Sequence, residues 1–378
     1  MKVLCHTKEL QEAVNLVTGV VASNATRPIL LAVYLRTDNG GLIVQGTDME
    51  VGLSVRLDSV EISTDGDLAI PASRLHAILR ETPDAEVSIE AVEDGNTAVI
   101  RCGASQFKVP VESASEFPRL DFKPPSPSIR VGRAGLLDML KKVVIAAARD
   151  ATRFQMHSVL FDVQGGSLRL VSTDGKRLAY SRCPIEVASP DGVEAARYLI
   201  PLKGVDLLMR ILAAEGGDSV DLHLSNAEVT YNSDRISLSC RLIDGQFPDY
   251  QRALPSPGEY VYDMPCQELL VALRQASLMT TKETNSVQFK FDGDRLVLST
   301  HATNLGESRI ELGVTTVSAP EPEFSINFNP GYLIDLLKVQ TSDSLRGSFK
   351  DRRTAGCFSV ELLGDDYRHV VMPLVTQE

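Results

Sequence analysis

Apolar residues along this chain alternate between a helical spacing and a strand spacing, and the alternation runs through three rounds. Leu10, Val14 and Val17 stand at i, i+4 and i+7, as do Leu136, Leu140 and Val143, and again Leu269, Leu273 and Ala276. That spacing places one apolar stripe along one face of a helix. Each such helix is followed by two alternating segments joined by a glycine-bearing link, which predicts a hairpin. The pairs are Ile29 to Arg36 with Leu42 to Gln45, Val159 to Val163 with Leu168 to Val171, and Val287 to Phe291 with Leu296 to Ser299. A second helix opens at Pro71, Pro201 and Pro330, since proline suits a first turn where no N–H is needed. Its apolar faces are Leu75, Ile78, Leu79, then Val205, Leu208, Met209, then Leu333, Leu336, Leu337, and a basic residue follows each set: Arg80, Arg210, Lys338. Further strands close the rounds, such as Ala98 to Arg101 with Gln106 to Val111, and Glu228 to Tyr231 with Arg235 to Arg241.

The clearest marker of the repeat is the stretch from Ser167 to Leu178. Leu168 and Leu170 alternate with polar neighbours, which predicts a strand with one apolar face, and Asp174-Gly175 then turns the chain. Its counterparts are Gly41 to Asp48 and Arg295 to Ala302. The threonines Thr47, Thr173 and Thr300 lie 126 and 127 residues apart, a period that belongs to a repeated domain rather than a solenoid unit. The 378 residues hold three such domains, each large enough for its own core. The expected fold class is α+β: three repeated domains, each of antiparallel sheet plus two helices, with bounds at 1–125, 126–255 and 256–378. The first two end alike, in Glu116-Phe117-Pro118-Arg119-Leu120 and Gln246-Phe247-Pro248-Asp249-Tyr250, before proline-rich links at 123–127 and 255–258.

Charge changes this picture only through its placement. The net charge of −12 argues against nucleic acid if it is spread evenly. The six expected helix windows (7–21, 73–81, 132–150, 202–213, 266–283 and 330–340) hold twelve basic and nine acidic residues. The helices therefore carry an excess of +3, and the strands and loops carry the acid. One basic residue per helix is explained by the helix dipole, the wider bias is not. If the six helices faced one surface, it would meet phosphates without regard to sequence. The six cysteines show no close pairing, the usage of a reduced, cytoplasmic protein. No signal peptide and no run of membrane-spanning length is read from the sequence.

The chemistry of an enzyme is not legible. No glycine-rich phosphate loop opens a helix. The six histidines are far apart, without metal-ligand spacing, and nothing marks a nucleophile elbow. Asp365-Asp366 reads as a solvated turn. Thr173-Asp174-Gly175-Lys176-Arg177 reads either as a plain turn or as a ligand-facing one. No cofactor, metal or catalytic residue is expected.

Taken together, the three repeats, the Thr173-Asp174-Gly175-Lys176-Arg177-Leu178 turn, Phe247-Pro248-Asp249-Tyr250 and the ending Val370-Val371-Met372-Pro373-Leu374 resemble the bacterial sliding clamps, the beta-subunit family of DNA polymerase III. The resemblance spans the chain. It implies the DNA clamp fold, a ring-shaped head-to-tail homodimer with helices lining the hole, encircling double-stranded DNA so that a bound polymerase stays with its template. It implies DNA contacts at Asn24, Ser73, Arg80, Arg149, Arg153, Phe154, Gln155, Lys203, Arg210 and Lys338. Asn24, Ser73 and Leu202 stand where the family can have a basic residue, Arg27 is a nearby substitute, and Gln155 replaces an aromatic. The resemblance also implies a groove for a short linear peptide shared by the replicative polymerase, the clamp loader and repair proteins. Its lining would be Met156, Thr173, Gly175, Lys176, Arg177, Leu178, Pro248, Arg252, Ala253, Asn329, Tyr332, Val370, Val371, Met372, Pro373 and Leu374. Leu178, Val370, Met372 and Leu374 are able to form an apolar socket, and Leu178 and Val370 read equally well as core. The ring contact would bring Phe107 and Val109 against Leu278 and Met279, with Arg74 meeting Glu307 or Glu311. The tail runs on through Val375-Thr376-Gln377-Glu378, past the family's usual end. A peptide-binding adaptor of the same fold that does not encircle DNA is the alternative, and retention on circular but not linear DNA separates the two.

Overall fold

The computed structural model describes residues 1–22, 24–92, 95–122, 128–150, 154–187, 195–281, 285–302, 306–362 and 365–374. They form two compact units. The first comprises Met1–Arg133, Glu186–Gly192 and Lys203–Leu242, and the second Ala134–Ile185, Val193–Leu202 and Ile243–Glu378. Seven α-helices are described: α1 Thr7–Thr18, α2 Ala72–Arg80, α3 Arg133–Val144, α4 Leu202–Ala214, α5 Tyr250–Ala253, α6 Cys266–Ser277 and α7 Pro330–Val339. Every expected helix is present. The windows 132–150 and 266–283 are too long, because the chain tightens into turns after Val144 and Ser277. The prolines act in two ways. Pro71 and Pro201 each end a strand just before the helix, whereas Pro330 is the first residue of α7, capped by the Asn329 side chain accepting from the Gly331 N–H at 2.9 Å. The expected strand from Ile29 begins at Ala32, since Pro28–Leu31 is a 3-10 turn.

In the first unit, a five-stranded sheet runs in the order Val60–Thr64, Lys2–His6, Glu86–Ala91, Thr97–Cys102, Ser105–Pro110. A nine-stranded sheet is joined at its middle by Val51–Leu57 against Ile236–Arg241, with Leu53 opposite Leu238. In the second unit, a nine-stranded sheet is joined at its middle by Arg177–Pro184 against Asp365–Val371, with Leu178 opposite Val370. A four-stranded sheet runs Gly306–Gly313, Arg295–Ala302, Val287–Asp292, Glu323–Phe328. All named strand pairs are antiparallel. The two middle pairings link strands from different sequence repeats, so the compact units divide the chain elsewhere than the repeat does. The strand Ser167–Thr173 is buried on both faces rather than one. One face meets α3, where Ser172 Oγ donates to the Val143 carbonyl at 2.5 Å. The other carries Val171 in a cluster with Leu160, Leu178, Tyr180, Leu199, Phe247, Tyr250 and Val370.

Candidate functional site

The turn singled out in the sequence is a small hydrogen-bonded device. Thr173 Oγ1 donates to the Arg177 carbonyl at 2.6 Å and accepts from the Gly175 N–H at 3.0 Å. The Asp174 carboxylate accepts the N–H groups of Lys176 and Arg177, each at 2.9 Å. The first repeat builds the same device: Thr47 Oγ1 donates to Val51 O at 2.7 Å and accepts from Met49 N at 2.9 Å, and Asp48 accepts Val51 N at 2.8 Å. The third residue of each turn has positive φ, +86° at Gly175 and +79° at Met49. Among the described residues the third repeat does not show the device. There the strand continues to Ala302, and Thr300 Oγ1 pairs with Ser308 Oγ at 2.7 Å.

Arg177 fixes the turn to its surroundings. Its guanidinium meets Asp174 at 3.1 Å and Asp335 of α7 at 3.0 Å, and lies 4.6 Å from the Tyr332 ring centroid. The chain's end is laid beside it: Met372 N–H donates to the Lys176 carbonyl and Leu374 N–H to the Asn327 carbonyl, both at 2.9 Å. The fold thus brings together Thr173, Gly175, Lys176, Arg177, Leu178, Asn329, Tyr332 and the residues from Val370 to Leu374. The socket differs from expectation. Leu178 and Val370 are 5% and 4% exposed, covered by Phe247 and Tyr250, so they are core. Met372 and Leu374 are the exposed apolar groups, at 51% and 39%. Pro248, Arg252 and Ala253 are exposed around α5, with Arg252 turned to Asp249 at 3.0 Å, and Met156 is half-buried.

Beneath the same strand pair lies a polar cluster that the sequence did not announce. Tyr367 and His369 alternate with Arg368 and Val370, so they face α3. Tyr367 Oη is 3.3 Å from both the Lys142 carbonyl and His369 Nδ1. Lys142 is one of the twelve basic residues of the helix windows, yet its side chain is 2% exposed and salt-bridged to Asp138 at 2.5 Å. Burial, with help from Arg177, drives the His369 pKa down to about 3. Burial likewise pushes the Tyr367 hydroxyl up. Among the described residues, His369 Nε2 has no hydrogen-bond partner. The signal available was a histidine placed by strand alternation on an apolar face.

The basic residues divide by environment. Arg80, Arg149, Arg210 and Lys338 are exposed, as are Asn24, Ser73, Phe154 and Gln155. Arg149 lies beyond the end of α3. Lys203 is held by the Asp48 carboxylate and, at 2.6 Å, by the Val20 carbonyl. Arg133 donates to the Leu212 and Gly217 carbonyls at 2.7 Å, a capping role at the end of α4. Arg153 lies outside the described residues, as do 375–378. Of the ring-contact candidates, Phe107 is 38% and Leu278 74% exposed, Met279 is half-buried, and Arg74 is exposed. Val109 is buried in its own fold at 6%. Phe107 borders a cavity of about 250 Å³ with Ile78 and Cys102. Glu307 meets His301 at 2.9 Å and Glu311 meets Arg309 at 2.7 Å. Among the described residues no group of three or more His, Cys, Asp or Glu is placed to hold a metal, and no helix is long and apolar enough to cross a membrane.

Three family models match in succession: the N-terminal domain of the DNA polymerase III beta subunit over residues 1–121, its central domain over 131–249 and its C-terminal domain over 251–375. The chain is 27% identical over 365 residues to the beta sliding clamp of Pseudomonas aeruginosa, covering 97% of both. It is 26% identical over 377 residues to the beta sliding clamp of Escherichia coli, covering 99% of this chain and 100% of the other. Among solved structures, the DNA polymerase III beta subunit of Thermotoga maritima shares the fold at a TM-score of 0.90 and 24% identity over the whole of both chains. A Pseudomonas aeruginosa sliding clamp bound to griselimycin has a TM-score of 0.90 and 25% identity, again over both whole chains.

Proposed function

We propose, from the premise that this chain belongs to the DNA polymerase III beta-subunit family, that it works as a sliding clamp. It is a non-catalytic processivity factor: two copies close a ring around duplex DNA and tether the replicative polymerase. The observation that carries this reading is a strand count. Each of the two middle pairings yields a nine-stranded sheet, and a five-stranded and a four-stranded sheet are left over. Their outer strands, Ser105–Pro110 and Gly306–Gly313, each pair on one side only. Joining these edges between two copies, head to tail, makes a further nine-stranded sheet at each contact and leaves neither edge open. Leu278 of one copy then supplies an apolar group for the cavity beside Phe107 of the other.

Within such a ring, Arg80, Arg149, Arg210 and Lys338 supply sequence-blind contact with phosphates. Lys203 contributes less, because a carboxylate and a carbonyl already hold it. The partner groove lies along Met372 to Leu374, the turn at Thr173 and the exposed side of α5, and takes a short peptide with apolar anchors. The repeat bounds 1–125, 126–255 and 256–378 are the domains of this reading, and the cytoplasm is its compartment. The test is retention on DNA. Loaded protein should stay on a closed circle and run off after linearisation, and Leu278→Asp should give monomers that are not retained. Equal retention on both forms would favour a peptide-binding adaptor that does not encircle DNA.

A further inference from the structure

The partner groove of the second unit has a counterpart in the first, and the chain fills it with its own residues. The two places correspond bond for bond. Arg241 N–H donates to the Glu50 carbonyl at 2.9 Å, as Met372 N–H does to the Lys176 carbonyl. Gly52 faces Ser239 where Leu178 faces Val370. Phe117-Pro118 stands for Phe247-Pro248, with Phe117 stacked on Tyr34 at 4.6 Å.

The segments that follow differ. After Pro248 the chain winds into α5, and Arg252 points to solvent with 88% of its side chain exposed. After Pro118 the described residues, through Phe122, form no helix, and Leu120 and Phe122 lie across Gly52. A β-carbon on Gly52 would be 3.4 Å from Leu120 Cδ2 and 3.7 Å from the Phe122 ring. The Asn232 side chain holds the Phe122 carbonyl at 3.2 Å, and Leu120 packs beside the cluster of Ile29, Ala32, Ala69 and Phe117. What remains open is a cavity of about 290 Å³ beside Met49, which is 48% exposed.

We propose that Leu120 and Phe122 are a built-in plug, an autoinhibitory contact that closes the first junction to the kind of apolar-anchored peptide the second junction receives. A tethered occupant acts at an effective concentration of roughly millimolar, so a free peptide at micromolar levels does not displace it. Gly52 is the residue that makes room: leucine in its place, as at position 178, would drive the plug out.

The meaning of the plug rests on the second junction being a peptide groove, but its test is read at Met49, so either reading can fail without the other. The probe is a synthetic peptide of residues 116–123, titrated against methyl-labelled full-length protein. In the wild type the Met49 methyl signal should not respond. In the double variant Leu120→Ser, Phe122→Ser it should shift saturably, with one more peptide bound per chain. Gly52→Leu, which keeps the plug residues, serves as a second route: it should speed tryptic cleavage after Arg119 and make Met49 responsive. A Met49 signal that responds equally in the wild type overturns the plug. So does a silent Met49 signal in both variants with cleavage unchanged.

Discussion

The two middle junctions share a backbone and differ in what they bury. Where Val51–Leu57 meets Ile236–Arg241, the helix-facing pairs are Val51 with Cys240, Leu53 with Leu238, and Val55 with Ile236, all buried. Gly46, opposite Leu53, comes so close to α1 that a β-carbon there would lie 2.6 Å from Val17. Where Arg177–Pro184 meets Asp365–Val371, the corresponding pairs are Arg177 with Val371, Ala179 with His369, and Ser181 with Tyr367. The ladder fixes register through main-chain bonds alone, so side-chain chemistry is free to change as long as buried polar groups find partners. At the second junction they do so only in part, as His369 Nε2 shows. The polar junction is therefore the one that conditions and substitutions unsettle first, and it carries Met372 to Leu374 on its outer side.

Acid should separate the junctions most. His369 titrates near 3 in the folded chain and near 6.5 when unfolded. The unfolded state therefore binds the extra proton between these values, and folding stability falls as pH drops from about 6.5 towards about 3. Tyr367 touches the imidazole and Arg177 is near enough to disfavour its charge, while the Asp138 carboxylate is engaged with Lys142. His369→Leu, which copies Leu238, should flatten this part of the acid limb in urea titrations at stepped pH. An unchanged slope would mean that other groups dominate it.

This contrast also marks what the sequence carried. Helix faces and hairpins were legible because local periodicity encodes them: Leu136, Leu140 and Val143 needed no partner to be read. The joining of Val51–Leu57 to Ile236–Arg241 was not, because strands so distant in sequence leave no local trace of pairing. Lys142 was not legible as buried, because Met139 and Lys142 itself widen the buried stripe beyond the expected Leu136, Leu140 and Val143. The groove was half legible. The family resemblance assigned Val370 to Leu374 to the groove, but the cover that Phe247 and Tyr250 place over Leu178 depends on the path of a loop. Phe122 carried no signal at all, since its role depends on the glycine at position 52.

The buried pair of α3 gives the next largest effect. Asp138→Ala strands the Lys142 ammonium in the interior, which should cost about 3 kcal/mol, the lower end for a broken buried pair because Asp138 is itself partly exposed. Adding Lys142→Leu to that variant, to match Leu16 in the corresponding place of α1, should recover most of the loss. Chemical denaturation of the single and double variants measures both. If the second substitution recovers nothing, the charge is not what distinguishes the two junctions.

The smallest effect concerns what the junctions share. In the turns at Thr47 and Thr173 one hydroxyl serves two main-chain groups, donating to a carbonyl and accepting an N–H. Valine keeps the shape and removes both bonds, so Thr47→Val and Thr173→Val should each cost about 2 kcal/mol. Among the described residues the Thr300 hydroxyl meets the Ser308 hydroxyl, and the strand ladder continues without it, so Thr300→Val should cost about half as much. Equal losses at positions 47 and 173 would mean that the turn is an independent device, indifferent to whether the core beneath it is apolar or polar. A larger loss at 173 would show that Arg177, whose carbonyl Thr173 holds and whose guanidinium reaches Asp335, couples the turn to the polar junction below. Removing Arg177 from the Thr173→Val background would then reveal non-additivity between the two sites, which the first junction, with Val51 in the same place, has no means to produce.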